Sequence, residues 1–219
     1  GTISIGSGEL KSSRFLTRLI TDFQKENPLV TFTIYSGNSD NIKERIERGL
    51  LDVGLLQEPV DITRYSFVRT PVREEWGILV REDSPLAFKS SVSPEDLAGV
   101  PLILPSRENV QNELLNWFGP HAEHLHITAT GNLLYNLAFL ARDSGSCVLT
   151  LNLDCAYEGL RFVPLSPKME SGTVLVWKKA ETFSPAATAF LAYARDFISG
   201  KETAEKELSG KAASETELL

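Results

Sequence analysis

This chain of 219 residues has few of the residue types that support redox, metal or nucleic-acid chemistry. Its two cysteines, Cys147 and Cys155, form neither a disulfide framework nor a CxxC metal clamp, which favours a reducing compartment. Lys and Arg (22) are outnumbered by Asp and Glu (29), and a net charge of −7 disfavours binding of a phosphate backbone by this chain itself. No apolar run approaches the roughly 18 residues of a membrane-spanning helix, and no basic-then-apolar leader is present. These absences predict a cytoplasmic protein with no membrane contact.

Enough apolar material is present for a packed core, since 42% of the residues are hydrophobic and 23% are charged. The length suits two small lobes better than one ordinary core. In the first half, strand and helix patterns alternate, which predicts right-handed crossovers and a mainly parallel sheet. The predicted strands are 2–6, 30–35 and 52–56, and the predicted helices are 14–26 and 40–48.

A second unit of similar design follows. Its predicted strands are 76–80, 101–104, 126–130, 147–151, 160–165 and 173–177, and its predicted helices are 92–97, 108–118, 132–142 and 185–198. Polar breaks at residues 74–75 and 171–172 predict that the chain leaves the first lobe once and returns once. Lobe I is then 1–74 and 172–198, lobe II is 75–171, and 199–219 is a polar C-terminal tail. Two such lobes place a ligand cleft between them, where strands end and helices begin.

Three predicted strands end in glycine or hydroxyl residues at the expected cleft. The segment at the end of the first strand, residues 6–9, contains too few glycines for a dinucleotide-binding loop. It predicts a tight turn with positive φ. The second ends at 36–39, where Ser39 is predicted to cap the next helix. The third ends at Pro105-Ser106-Arg107, where Arg107 offers a cation with carboxylate-binding geometry, although a solvated arginine is the expectation for this residue alone.

The sequence gives little support to catalysis. His121, His124 and His126 lie close together, but no Cys or carboxylate pattern completes a metal site. Gly6-Ser7-Gly8 is not a nucleophile elbow, and Cys147 lies in an apolar strand, which predicts a buried and inert thiol. We therefore expect no enzymatic activity, no cofactor and no metal.

Several blocks, in this order and spacing, resemble the effector-binding domain of LysR-type transcriptional regulators. The first is the strand and turn ISIGSGE at 3–9, followed by an apolar helix that ends before Pro28. The second is the small-residue turn 36–39, its helix and the block GLLDVGL at 49–55. The third comprises REDSPL at 81–86 and the short SPEDL helix at 93–97. The resemblance covers about residues 1–199, and it departs at 143–150, where a glycine and a proline typical of the family are missing.

The resemblance implies an α/β fold of two Rossmann-like lobes joined by two crossover strands, like the type 2 periplasmic binding proteins. It implies a regulatory domain that binds a small effector, anionic or amino-acid-like, between the lobes. DNA is then contacted only through an N-terminal winged helix-turn-helix that this chain lacks. Two alternatives share the fold, namely a periplasmic solute-binding protein of a transporter and an enzyme with its site at the hinge.

The family also pairs its first helix with the second lobe of a partner chain, which implies a homodimer, or a tetramer in the full-length protein. The apolar stripe of this helix is wide for one small sheet to cover, and we expect part of it to face the partner. Its members are Phe15, Leu16, Leu19, Ile20 and Phe23.

The predicted ligand-binding residues lie at the strand ends described above. Most of them match positions of the family, whereas Glu9 and Arg107 are chosen for their chemistry alone. They are Ser7, Gly8, Glu9, Ser36, Asn38, Ser39, Pro105, Ser106, Arg107, Gly131, Asn132 and Thr150.

Overall fold

The computed structural model describes the backbone of residues 1–216 and the side chains of residues 1–200. Its strands are β1 (Thr2–Ser7), β2 (Thr31–Ser36), β3 (Val53–Gln57), β4 (Tyr65–Arg69), β5 (Glu74–Arg81), β6 (Pro101–Pro105), β7 (His126–Gly131), β8 (Cys147–Leu151), β9 (Leu160–Pro164), β10 (Glu170–Ser171) and β11 (Thr173–Lys178). Its α-helices are α1 (Ser13–Glu26), α2 (Ser39–Glu47), α3 (Pro94–Leu97), α4 (Glu108–Phe118), α5 (Leu134–Ser144) and α6 (Pro185–Thr216), and short 3₁₀ helices cover Pro85–Phe88 and Gly119–His124.

The strands form two mixed sheets, which we use to define two lobes. The sheet of lobe I has five strands in the order β2-β1-β3-β11-β4, with β11 antiparallel to both neighbours. The sheet of lobe II has six strands in the order β10-β5-β8-β6-β7, with β9 also paired to β5. The chain enters the second sheet between Arg69 and Glu74 and returns to the first between Ser171 and Thr173. The predicted α/β architecture with two crossovers is therefore confirmed, whereas the residue boundaries assigned to the lobes remain a prediction.

The wide apolar stripe of α1 is covered within the chain. All five of its predicted members are at most 8% exposed. The ring of Phe15 lies 5.5 Å from that of Phe197, and the ring of Phe23 lies 5.3 Å from that of Phe190, so α6 packs on α1 while the sheet packs beneath it. The stripe is wide because it has two partners in its own chain, and the expectation that part of it faces a partner chain is wrong.

Helix α2 lies so close to the sheet of lobe I that two strand positions must be glycine. A Cβ atom on Gly6 or on Gly54 would lie 2.7 Å from Cγ2 of Ile42. Neither Gly6 nor Gly8 is among the glycines with positive φ. The prediction of a turn with positive φ is therefore wrong, because the requirement at Gly6 is space for a helix rather than a left-handed backbone.

Further elements depart from the prediction. Strands β4 and β10 were not predicted; β4 forms the edge of lobe I beside β11, and β10 pairs with β5 at the edge of lobe II. Helix α6 continues from the predicted 185–198 segment through Thr216, so the backbone of the predicted polar tail is helical up to that residue. Residues 217–219 of the tail lie outside the described residues.

Candidate functional site

A cavity opens between the two lobes, where strands of both sheets end and helices α2, α4 and α5 begin. It contains about 650 Å³ of space, counting the part open to solvent. The lining residues are Gly8, Glu9, Leu10, Asn38, Ser39, Gln57, Trp76, Pro105, Ser106, Arg107, Val110, Gly131, Asn132, Leu133, Leu134, Leu137, Val148, Leu149, Thr150 and Leu151.

The cavity brings together all of the predicted site residues except Ser7 and Ser36. The Ser7 hydroxyl is buried in lobe I, where it donates to the carbonyl oxygen of Gly8 (3.0 Å) and lies 3.2 Å from the Ser13 hydroxyl. Ser36 is exposed at the end of edge strand β2. Ser7 therefore supports the turn that lines the cavity, and Ser36 lies beside the cavity rather than in its wall.

The start of α2 is held by Asn38 rather than by Ser39. The Asn38 side chain accepts a hydrogen bond from Asn41 N–H, and the Asn41 side chain accepts one from Asn38 N–H, both at 3.0 Å. This reciprocal pair is a capping box. The Ser39 hydroxyl instead accepts from Gln57 N–H (3.0 Å) and donates to the Gln57 carbonyl (3.2 Å). The prediction that Ser39 is the helix cap is wrong, and its side chain ties the start of α2 to the end of β3.

Arg107 is a buried clamp between the lobes and not a solvated side chain. It is 4% exposed at the start of α4 in lobe II, and the recorded partners of its side chain all belong to lobe I. It donates to the carbonyl oxygens of Gln57 (3.2 Å) and Pro59 (2.5 Å) and pairs with Asp40 at 3.4 Å. Burial lowers the pKa of the guanidinium below its ordinary value, and the Asp40 carboxylate opposes that shift.

Glu9 also makes a contact between the lobes, with its side chain reaching from lobe I to lobe II. Its carboxylate extends from the loop after β1 in lobe I and accepts a hydrogen bond from the N–H of Leu134, the first residue of α5 in lobe II. The N-cap residue of α5 provides no side-chain cap, so Glu9 supplies one from the other lobe. A carboxylate at a helix start is favourable by about 0.3–1 kcal/mol because the first N–H groups carry partial positive charge. The charge of Glu9 also adds to the effect of burial in raising the pKa of Tyr157.

The remaining predicted residues form the rim of the cavity in lobe II. Ser106 is exposed, and its N–H donates to the Gly131 carbonyl at 2.9 Å, which links the starts of α4 and α5. The Asn132 side chain reaches lobe I and donates to the Asn41 side chain at 3.1 Å. The half-buried Thr150 hydroxyl points to the Leu151 carbonyl at 3.4 Å. The cavity is therefore bordered by polar groups from both lobes.

With this geometry established, comparison with known proteins assigns the family. The sequence profile of the LysR substrate binding domain matches residues 1–199. The chain belongs to this family. Membership confirms the type 2 periplasmic-binding-protein-like fold, and the alternative of a transporter's solute-binding protein is not favoured.

Relatives of this LysR domain are described as transcriptional regulators. AlsR of Bacillus subtilis (strain 168), an HTH-type transcriptional regulator, is 21% identical over 196 residues, covering 90% of this chain and 61% of AlsR. YvbU of the same organism, an uncharacterized HTH-type transcriptional regulator, is 29% identical over 104 residues, covering 48% of this chain and 35% of YvbU. The chain therefore spans less than two thirds of the length of these curated relatives.

A solved structure shares the fold. The effector-binding domain of QuiR in complex with shikimate superposes with a TM-score of 0.77 at 18% sequence identity, covering 91% of this chain and 98% of the QuiR domain.

The sequence did not reveal the apolar lining of this LysR domain. Most of it comes from lobe II, where side chains of α4, α5 and β8 face the cavity, and Trp76 at the start of β5 completes it. The Trp76 indole N–H donates to the Ser171 hydroxyl at 2.9 Å, so the ring is fixed in place. Buried core and cavity lining have the same apolar composition, so periodicity alone does not separate them. The one available signal was position, because Val148–Leu151 lie at the end of a strand beside a predicted site residue.

Groups for covalent or metal chemistry do not assemble in the described part of the LysR domain. Among these residues no group of three or more His, Cys, Asp or Glu side chains is placed to hold a metal ion. Burial raises the pKa of the Cys147 thiol to about 11, which keeps it protonated and unreactive at neutral pH. Cys155 is exposed and unpaired with any other cysteine. Among the described helices, none has the length and apolar character to span a bilayer.

Proposed function

We propose that this domain is the effector-sensing part of a bacterial LysR-type transcriptional regulator and binds a small metabolite, anionic or amino-acid-like, between its lobes. The cavity lined by residues of both lobes is the observation that carries the proposal. A ligand bound between two lobes favours a particular angle between them, because it contacts both lobes at once only when that angle brings both within reach of it. QuiR, which shares the fold, is a domain bound to shikimate, and this supports a small effector here.

In this proposal lobe I is 1–74 and 172–198, lobe II is 75–171, and the effector contacts both. Its polar contacts in lobe I come from Gly8, Glu9, Asn38 and Ser39, with Ser7 and Ser36 supporting the two turns. Its contacts in lobe II come from Pro105, Ser106, Arg107, Gly131, Asn132 and Thr150.

The effector acts by shifting an equilibrium between lobe arrangements. Moving a two-state population from mostly one form to mostly the other takes about 5.5 kcal/mol of differential binding. Hydrogen bonds that exist in only one arrangement contribute about 1 kcal/mol each, and more where a charge takes part. Arg107, Glu9 and Asn132 already form such contacts across the cleft, so a ligand that adds to or rearranges them is sufficient.

The response is passed to DNA through the rest of a longer protein. The curated relatives are HTH-type regulators, and this supports a winged helix-turn-helix as the DNA-contacting part, acting in the cytoplasm. The domain itself is acidic and is proposed to bind no DNA and catalyse no reaction.

A homodimer is part of this proposal, with a tetramer for the longer protein. Because α6 covers the apolar stripe of α1, the exposed apolar side chains of α5 are the surface we assign to the partner. Tyr135, Phe139 and Leu140 are 60%, 41% and 42% exposed along this helix. Sedimentation that shows only monomer at high micromolar concentration would contradict the dimer.

The experiment is a melting-temperature screen of the purified domain against a metabolite library, because a ligand that binds only the folded state raises its stability. A hit is then titrated against the wild type and the double variant Ser39→Ala/Ser106→Ala. Affinity for the double variant that stays within about twofold of wild type would place the site elsewhere. The full-length regulator is expected to show an effector-dependent DNA footprint, and the domain alone is expected to show neither DNA binding nor turnover of the hit.

A further inference from the structure

The cavity contains two charged side chains among its described lining residues, and only one of them is neutralised. Arg107 pairs with Asp40 at 3.4 Å and gives its other hydrogen bonds to two carbonyl oxygens of lobe I. A buried guanidinium matched in this way by one carboxylate and two dipoles has little charge left for a ligand. Arg107 therefore closes the cleft and is not an available anion receptor.

Glu9 has no such compensation. Within residues 1–200 its carboxylate forms no ion pair, and its one recorded bond joins Oε2 to the N–H of Leu134. The nearest cation in sequence, Lys11, pairs with Asp154 at 3.3 Å instead. Oε1 accepts no hydrogen bond from the described residues and belongs to a side chain that lines the cavity. A ligand in the cavity therefore meets an uncompensated carboxylate oxygen.

Glu9 also occupies the place on lobe II that would suit an anion. The first N–H of α5 is the donor that a carboxylate ligand would use there, and the Glu9 carboxylate already accepts from it. The neighbouring wall is apolar, with Leu134, Leu137 and Leu149 among its members. An anionic group is repelled by Glu9 and finds this helix start taken, whereas an amine finds an acceptor beside an apolar surface.

We infer that the effector carries a protonated amine next to an apolar body, and that Glu9 is the residue that selects it. The inference rests on the proposed function, since it assigns a chemical class to the effector of the same cavity. Both α-amino acids and simple amines have this chemistry. The ammonium group donates to Oε1 of Glu9, and the apolar body packs on the leucines of α5 and β8.

The test uses matched compounds that differ by one amino group, titrated into the purified domain by calorimetry at neutral pH. The pairs are L-leucine with isocaproate and L-phenylalanine with hydrocinnamate, and isoamylamine and phenethylamine form the arm without a carboxylate. The key variant is Glu9→Gln, because its amide oxygen can still accept from Leu134 N–H while the charge is removed. The matched control is Glu113→Gln, which removes an exposed charge of α4 outside the cavity.

For at least one pair, the amino compound is expected to bind the wild type about 10- to 100-fold tighter than its deaminated partner, as one charge-assisted hydrogen bond provides. In Glu9→Gln this ratio is expected to fall below about threefold, and in Glu113→Gln it is expected to persist. If only the simple amines bind tightly, the effector is an amine without a carboxylate. If only the amino acids bind, the effector is an amino acid.

Three outcomes would overturn the inference, and they separate it from the proposed function. Tighter binding of a deaminated acid, with a change in Trp76 fluorescence that is lost in Trp76→Phe, would keep the cavity as an effector site and reject the amine. An unchanged ratio in Glu9→Gln would reject Glu9 as the selecting residue. Absence of binding by every compound would reject an amine with an apolar body of this size. If the metabolite library also gave no hit, the proposed function would fail as well.

Discussion

The two walls of the cleft are built differently. The wall of lobe I consists of small and polar residues at strand ends, such as Gly8, Asn38, Ser39 and Gln57, whose polar groups largely bond to other groups of lobe I. The wall of lobe II is mostly apolar, with side chains of α5 and β8 facing the cavity. One wall is therefore shaped by backbone and hydrogen bonds, and the other by side-chain packing.

The charged side chain that contacts each wall belongs to the opposite lobe. Glu9 belongs to lobe I but bonds to the start of α5, and Arg107 belongs to lobe II but bonds to the end of β3 and to Asp40. Both charged side chains of the cavity therefore also join the lobes, so their substitution is the most direct way to disturb both walls.

The largest expected effect is that of Arg107→Ala. The substitution removes one donor from the carbonyl oxygens of Gln57 and Pro59 and the cation that pairs with Asp40, and it opens space in a buried position, since Arg107 is 4% exposed. Removing one partner of a buried, charge-assisted set costs about 2–4 kcal/mol. Urea unfolding should show this loss, and small-angle scattering should show a more open pair of lobes.

The matched control for this prediction is Arg48→Ala. Arg48 pairs with Glu44 at 3.5 Å on the surface of lobe I, with 66% of its side chain exposed. Such pairs contribute about 0–1 kcal/mol. Equal losses for the two arginine variants would mean that the clamp does not hold the lobes together.

The difference between these arginines also marks the limit of prediction from sequence. Periodicity identified nearly every strand and helix, because each has an apolar face of period 2 or 3.6, as in α1 and β1. Strand β4 was missed because its edge position leaves Phe67 43% exposed and its apolar pattern weak. The stripe of α1 was misassigned because a one-dimensional pattern does not show that α6 returns from the far end of the chain to cover it.

The candidate site was only partly predictable for the same reason. Strand ends in an α/β fold indicate where a cleft forms, and this placed Asn38, Ser106 and Asn132 at the cavity. The partners of Arg107 lie 48–67 positions away in the sequence, and no local pattern connects them. The burial of Arg107 and the bond from Glu9 to α5 follow from how the lobes meet, which only the folded chain shows.

The wall of lobe I should be the more sensitive to added side-chain volume at the glycines beneath α2. In Gly54→Ala the new methyl group would lie 2.7 Å from Ile42 Cγ2 and 2.9 Å from Ile46 Cδ1, so α2 must move with Asn38 and Ser39 at its start. Overpacking of this kind costs about 1–3 kcal/mol. The control is Gly200→Ala, where nothing lies within 4 Å of the new atom and helix propensity favours alanine. If thermal melting showed no loss for Gly54→Ala, the close packing of α2 would be contradicted.

The two serines of the walls should respond differently to the same change. In Ser39→Ala the hydroxyl that bonds both the N–H and the carbonyl of Gln57 is lost, and a loss of about 1 kcal/mol in unfolding free energy is expected. In Ser106→Ala an exposed hydroxyl is removed, and stability should stay within about 0.5 kcal/mol of wild type. Effector affinity should fall in both variants. A stability loss at Ser106 equal to that at Ser39 would contradict the distinction between the walls.

The smallest effect is expected at a second ion pair that joins the lobes. Lys11 and Asp154 lie 3.3 Å apart, with 43% and 36% of their side chains exposed. Water therefore screens the attraction between them, whereas the buried Arg107 side chain is shielded from water. Lys11→Gln should lower the unfolding free energy by less than about 0.5 kcal/mol at low salt. That loss should vanish in about 1 M sodium chloride, where the Debye length is about 3 Å, whereas the loss in Arg107→Ala should persist because its partners are buried. Urea titrations of both variants at the two salt concentrations make the measurement. Equal salt dependence in the two variants would mean that burial does not separate the two contacts, and that the lobes are held together by general charge attraction.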